Sequence, residues 1–119
     1  MVLDILVIDG KYAQSISGGL SGQLEGVDSR DIRFASSGEE ALSMVKDRHF
    51  SFVVLNHEFG NGGMDGYDTA LALKKIREDI VLIGFSGGWM DSDIKRYGLG
   101  MYTRYLDRVA KFILEYQGT

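Results

Sequence analysis

A few short stretches of this 119-residue chain carry residue types that could do chemistry. Asp9 closes the apolar run Ile5-Leu6-Val7-Ile8. A carboxylate there can accept hydrogen bonds from nearby backbone amides or pair with Arg104. Asn56 closes a second run, Phe52-Val53-Val54-Leu55. Its carboxamide is uncharged and its nitrogen lone pair is delocalised, so it accepts a hydrogen bond but does not attack phosphorus. His57-Glu58 follows at once, a pairing that could serve a metal or acid–base chemistry. One His beside one Glu on a loop is expected to be solvated instead. Ser86, before Gly87-Gly88, is expected to cap or bond that glycine turn. His49 falls at a helix end, where a protonated ring favours the dipole. Ser15-Ile16-Ser17-Gly18-Gly19 has the hydroxyls and glycines of a phosphate cradle, but it begins past the strand end and inside a helix. Gly84 and Trp89 read as packing and loop residues, not as a flavin platform. There are no cysteines, so thiol nucleophiles, thiolate metal sites and disulfides are excluded.

The elements that must hold these residues follow from periodicity. Ile5–Ile8, Phe52–Leu55 and Ile80–Phe85 are continuous apolar runs, which predicts strands buried on both faces of a parallel sheet. Asp31–Ala35 alternates and suits one half-exposed edge; Met101–Tyr105 suits the other. Ala13, Ile16, Leu20 and Leu24 predict a first helix, made irregular by Gly18, Gly19 and Gly22. Glu39–Lys46 and Tyr67–Arg77 predict two more. Asp91 or Ser92 caps a short helix through Tyr97, which Gly98 stops. Asp107 caps a last helix striped by Val109, Phe112, Ile113 and Tyr116. Five βα units with short loops give a flavodoxin-like (βα)5 fold, a doubly wound five-stranded parallel sheet in three α/β/α layers, as one domain over residues 1–119. Ligands and chemistry in such folds gather beyond the carboxyl ends of the strands.

Composition narrows the function classes. Lys and Arg number 13 against 17 Asp and Glu, a formal charge of −4 that argues against a nucleic-acid partner. No apolar run reaches membrane-spanning length, and no secretory signal follows Met1, so a cytoplasmic location is expected. Sixteen glycines and no proline leave the turning to glycine.

Nearly the whole chain resembles a response-regulator receiver (CheY-like) domain. Three marks carry the likeness. Asp9 ends the first strand; Met64-Asp65-Gly66-Tyr67 follows the third after a loop; Ser86 and the small Gly87 end the fourth. The resemblance implies a pair of acids after the first strand, a phosphoacceptor aspartate ending the third, a Met-Pro pair in the next loop and a Lys-Pro pair after the fifth. Here those places hold Asp9-Gly10, Asn56, the longer Phe59-Gly60-Asn61-Gly62-Gly63 loop, and Arg104 or Tyr105. The segment from Gly87 to Gly98 is also short, so the fourth helix should be stunted.

These departures point to a degenerate pseudo-receiver. Receiver phosphorylation is nucleophilic attack by a carboxylate assisted by Mg²⁺, which prefers carboxylate oxygens in octahedral array. Asn56 supplies no nucleophile, and the acidic pocket Asp9, Gly10 and Glu58 is degenerate. Glu58, two residues past Asn56, is aimed elsewhere. No catalytic activity, metal or cofactor is expected. Signalling by contact with a protein is: a histidine kinase, an output domain, another regulator, or a second copy in a homodimer. By the resemblance the contact face is the fourth helix, fifth strand and fifth helix, with Ile94, Tyr97, Tyr102, Arg104 and Tyr105 as candidates. Tyr102 stands near the family's switch aromatic, Ser86 at its phosphoryl-binding hydroxyl, and neither should be coupled to the other here. The alternative is a flavodoxin-like small-ligand-binding regulatory domain, its glycine turns at Gly60–Gly63 and Gly87–Gly88 offering backbone amides.

Overall fold

A computed structural model describes residues 3–27, 30–60 and 62–117. Five strands and five helices alternate along it: β1 (Leu3–Ile8), α1 (Ala13–Gln23), β2 (Arg30–Ala35), α2 (Gly38–Asp47), β3 (Phe52–Leu55), α3 (Gly66–Ile76), β4 (Val81–Phe85), α4 (Asp91–Tyr97), β5 (Leu99–Thr103) and α5 (Leu106–Gln117). All strand pairs are parallel, in the order β2-β1-β3-β4-β5. The expected architecture and the expected edge strands are present.

The central strands are apolar throughout because each must feed two cores. Leu6, Ile8, Val53, Leu55 and Leu82 face one side, against Ala41, Val45, Ala70, Leu73 and Trp89. Ile5, Val7, Phe52, Val54 and Ile83 face the other, against Leu20, Leu24, Val109 and Ile113. All of these side chains are buried, and apolar area removed from water on both faces is what holds the three layers together.

Several boundaries differ from the sequence expectation. β5 begins at Leu99 and ends at Thr103, not Tyr105. Gly98, at φ 71°, closes α4 in the left-handed region and delivers the chain straight into the strand. Arg104 and Tyr105 therefore lie beyond the sheet. Tyr105, not Asp107, flanks α5: its carbonyl accepts the Arg108 and Val109 N–H groups, and Asp107 sits inside the first turn. Likewise Met90, not Asp91 or Ser92, flanks α4, and its N–H donates to the Asp93 carboxylate at 2.9 Å. α4 is stunted, at seven residues. α1 is a continuous helix of 11 residues in spite of its glycines. β4 starts at Val81, one residue later than expected. β2 does not alternate cleanly, since Arg33 and Phe34 are both exposed. His49 lies past α2, not at its end, and contacts the Asp79 carboxylate at 3.0 Å.

Candidate functional site

The carboxyl ends of β1, β3 and β4 bring Asp9, Asn56 and Ser86 to one edge of the sheet. Asp9 is buried, and its two oxygens have different tasks. Oδ1 accepts the Lys11 and Tyr12 N–H groups, both at 2.9 Å, turning the chain into α1. Oδ2 accepts Asn56 Nδ2–H at 3.0 Å. Asn56 Oδ1 in turn accepts the His57 N–H at 2.7 Å. The carboxamide thus bridges Asp9 and the loop after β3. With both Asp9 oxygens so occupied, the Asp9–Arg104 pair weighed from sequence is not formed.

Gly10 stands where the receiver likeness implies a second carboxylate. A Cβ added there would lie 1.6 Å from the Phe59 carbonyl oxygen. The Phe59 ring is itself buried in the core between the sheet and α2, α3 and α4, so the loop is anchored in that place. Glu58, beside it, is exposed and reaches only the His57 imidazole, at 3.9 Å. It takes no part in an acidic pocket with Asp9. Among the described residues no three His, Asp or Glu side chains converge as a metal-binding group. The Mg²⁺ that the receiver likeness implies does not fit these residues: one carboxylate is present, it is committed to amides, and a backbone carbonyl fills its neighbour's space.

His57 is not simply solvated, as expected from sequence, but half-buried and hydrogen-bonded. Its Nδ1 is 2.8 Å from Ser86 Oγ, and its ring rests on Gly88, where a Cβ would meet the imidazole at 2.4 Å. Ser86 Oγ also accepts the Gly88 N–H at 3.2 Å, the turn bond expected of it. Tyr67 Oη donates to the Gly88 carbonyl at 3.1 Å. Burial, then the Asp93 charge, raises the Tyr67 phenol above its ordinary pKa. Its ring meets Trp89 and Tyr97 at centroid distances of 5.0 Å each. Trp89 lies over Gly84 and donates its indole N–H to the Leu55 carbonyl at 3.0 Å.

Of the proposed contact residues, Ile94, Arg104 and Tyr105 are exposed and Tyr102 is half-buried. Tyr97 is half-buried too, its ring packed against Tyr67 and Trp89. Tyr102 Oη donates to the Asp91 carboxylate at the start of α4, and that bond raises its phenol pKa. The Arg104 guanidinium lies alongside Gly87, and Arg108 stacks on Tyr105 at 5.6 Å. Ser86, Tyr102, Arg104, Tyr105 and Arg108 line a cleft of about 440 Å³ between the β4 and β5 ends. Ser15, Ile16, Ser17, Gly18 and Gly19 lie within α1.

Three features were not read from sequence: the Phe59 carbonyl against Gly10, the His57–Ser86 bond, and the aromatic stack on Gly84 and Gly88. The glycines were the available signal. Each sits where a neighbouring side chain or carbonyl has moved against the backbone.

No family model matches the chain, and no curated protein matches it. Solved structures do. The Vibrio cholerae chemotaxis protein CheY4 superposes with a TM-score of 0.77 at 15% identity, over 97% of this chain and 98% of that one. A response regulator receiver domain from Clostridium thermocellum gives 0.75 at 22%, over 96% and 93%. The BeF3-activated DrrB receiver domain gives 0.75 at 18%, over the full length of both. The fold is the CheY-like receiver fold. No helix among the described residues is long and apolar enough to cross a membrane.

Proposed function

We propose that this chain is a pseudo-receiver in signal transduction that runs no aspartyl-phosphate switch and acts by protein–protein contact. The carrying observation is the closed strand-end site. Asn56 is bonded to Asp9, and Phe59 fills the place of a side chain on Gly10. Phosphoryl transfer needs an anionic nucleophile and a cation to neutralise the incoming charge. Asn56 offers neither, and Asp9 faces backbone amides. Tyr102, held by Asp91 on the outside, and Ser86, held by His57, have no phosphoryl group to draw them together. The contact face is built by Ile94, Tyr102, Arg104 and Tyr105, with aromatic and Arg side chains of the kind enriched at interface centres. Its partners are a histidine kinase, an output domain or another regulator, in keeping with a cytoplasmic place of action.

Incubation with a small acyl phosphate and Mg²⁺, followed by intact mass spectrometry, tests the reading. The expected spectrum shows the unmodified mass only; a phosphorylated species localised to the β3 end would overturn it. The cleft beside Ser86, with two arginines and no carboxylate among its lining residues, favours one second reading, a small-ligand-binding regulatory domain. A thermal-shift screen with nucleotides, flavins and Mg²⁺ separates the two, because only the second requires stabilisation by a ligand.

A further inference from the structure

β2 is an edge strand with β1 on one side only. Ala35 turns its carbonyl toward β1, accepting the Asp9 N–H at 3.2 Å. Alternation along the strand therefore turns the backbone N–H and C=O groups of Arg30, Ile32 and Phe34 outward, away from the sheet. The side chains alternate as well. Asp31 faces the side on which Arg48 binds it at 3.0 Å, and Arg33 of the same strand reaches it at 3.4 Å, an exposed pair that exchange with a second copy would replace. Ile32 packs with Ile16 and Leu20 on the α1 side. Phe34 shares that side and is 45% exposed. On the same side lies a groove of about 460 Å³ lined by Ser17, Gly18 and Ser21 of α1 and by Arg30 and Ile32. The groove stays open because Gly18 has nothing within 4 Å of its Cβ position.

We propose that this edge pairs with a second copy of the chain, antiparallel, about a two-fold axis at Ile32. Pairing Ile32 with its own equivalent sets Asp31 opposite Arg33 of the second copy, and Arg33 opposite Asp31. It sets Arg30 opposite Phe34. Residues opposite one another in an antiparallel pair share a face, so the exposed Phe34 ring enters the open groove beside Arg30 of the second copy, and the reverse. The charges select this register. The outward groups of Arg30, Ile32 and Phe34 allow only shifts of two residues. One such shift sets Asp31 against Asp31, and the other sets Arg33 against Arg33. Only the pairing at Ile32 opposes unlike charges throughout, and it satisfies the outward backbone groups that an unpaired edge leaves to water. This surface is separate from the contact face of the preceding section and does not depend on how the strand-end site works.

Analytical ultracentrifugation of the full chain over a concentration series tests the proposal. A reversible monomer–dimer equilibrium is expected. Phe34→Ser, which removes the knob, and Gly18→Leu, which fills the groove, should each raise the dimer dissociation constant by about tenfold or more. Both positions are exposed, and an unchanged far-UV spectrum shows that the fold persists. Arg33→Asp and Asp31→Arg should each be monomeric alone and form a heterodimer when mixed, since each then opposes two charges of one sign to two of the other. Asp31→Arg loses the Arg48 and Arg33 contacts; if it fails to fold, Phe34→Ser, Gly18→Leu and Arg33→Asp decide the matter. A chain that stays monomeric at every concentration overturns the proposal. So does a dimer indifferent to these variants, or one broken by Tyr105→Ser.

Discussion

The Phe59 carbonyl oxygen occupies the space that a side chain on Gly10 would need, 1.6 Å from where its Cβ would lie. The missing side chain at Gly10 and the glycine-rich loop after β3 are therefore parts of one structural feature. The loop has closed onto the bare backbone, and the buried Phe59 ring holds it there.

Gly10→Ala is predicted to be costly for that reason. The clash is with backbone rather than with the end of a flexible side chain, so the loop or the β1–α1 turn must shift. A loss of about 2–3 kcal/mol is expected, in the range of overpacking in a close-packed interior. Urea denaturation checks it. A loss below about 0.5 kcal/mol would mean the Phe59 loop gives way freely, and the closed site would no longer be an obstacle to metal.

Asn56→Asp should place two carboxylates within hydrogen-bond distance, because Asn56 Nδ2 now donates to Asp9 Oδ2 at 3.0 Å. Like charges that close cannot both ionise freely, so the pair takes up a proton with a raised apparent pKa. A carboxyl whose folded pKa is raised stabilises the fold below its unfolded value and loses that contribution as pH rises through the folded value. The variant should thus be weakened relative to the parent at neutral pH and approach it in acid. Denaturation midpoints across that range measure this. No phosphorylation by an acyl phosphate is expected either, because Gly10 still supplies no ligand.

How much of this was legible in the sequence follows from which contacts are local. The ends of β1, β3 and β4 were readable because apolar runs buried on both faces stop where the sheet stops, and Asp9, Asn56 and Ser86 are those stops. The bond between Asp9 and the β1–α1 turn spans two and three residues and could be anticipated. His57 and Ser86 are 29 residues apart and meet only because β3 and β4 are neighbours, so a solvated His57 was the natural reading. β5 was misplaced because β propensity continues through Arg104 and Tyr105, whereas the left-handed Gly98 fixes where the strand starts.

Trp89→Phe isolates a single buried hydrogen bond. The indole N–H is the donor to Leu55 O at the end of β3, and the site is buried. Phenylalanine keeps most of the ring contact over Gly84 and with Tyr67 but leaves that lone pair of the carbonyl unserved. An unsatisfied buried acceptor costs about 1–3 kcal/mol. Chemical denaturation should show a loss of that order, together with faster amide exchange in the β4–α4 loop. A neutral outcome would imply that water or a shifted backbone replaces the indole.

Asp91→Asn tests what holds Tyr102. The phenol donates to the Asp91 carboxylate, and that hydrogen bond, followed by lesser burial and the charge of Asp91, raises its pKa. All three favour the neutral phenol, so the linked stabilisation is present below the ordinary tyrosine value and disappears as pH rises through the raised one. Removing the charge should bring the Tyr102 titration down toward the ordinary tyrosine range, readable by absorbance after Tyr67, the other upward-shifted phenol, is assigned with a Tyr67→Phe control. If Tyr102 titrates the same with and without the carboxylate, the aromatic is not tethered to α4 and is free to turn inward. The uncoupling of Ser86 from Tyr102 would then have to rest on the closed strand-end site alone.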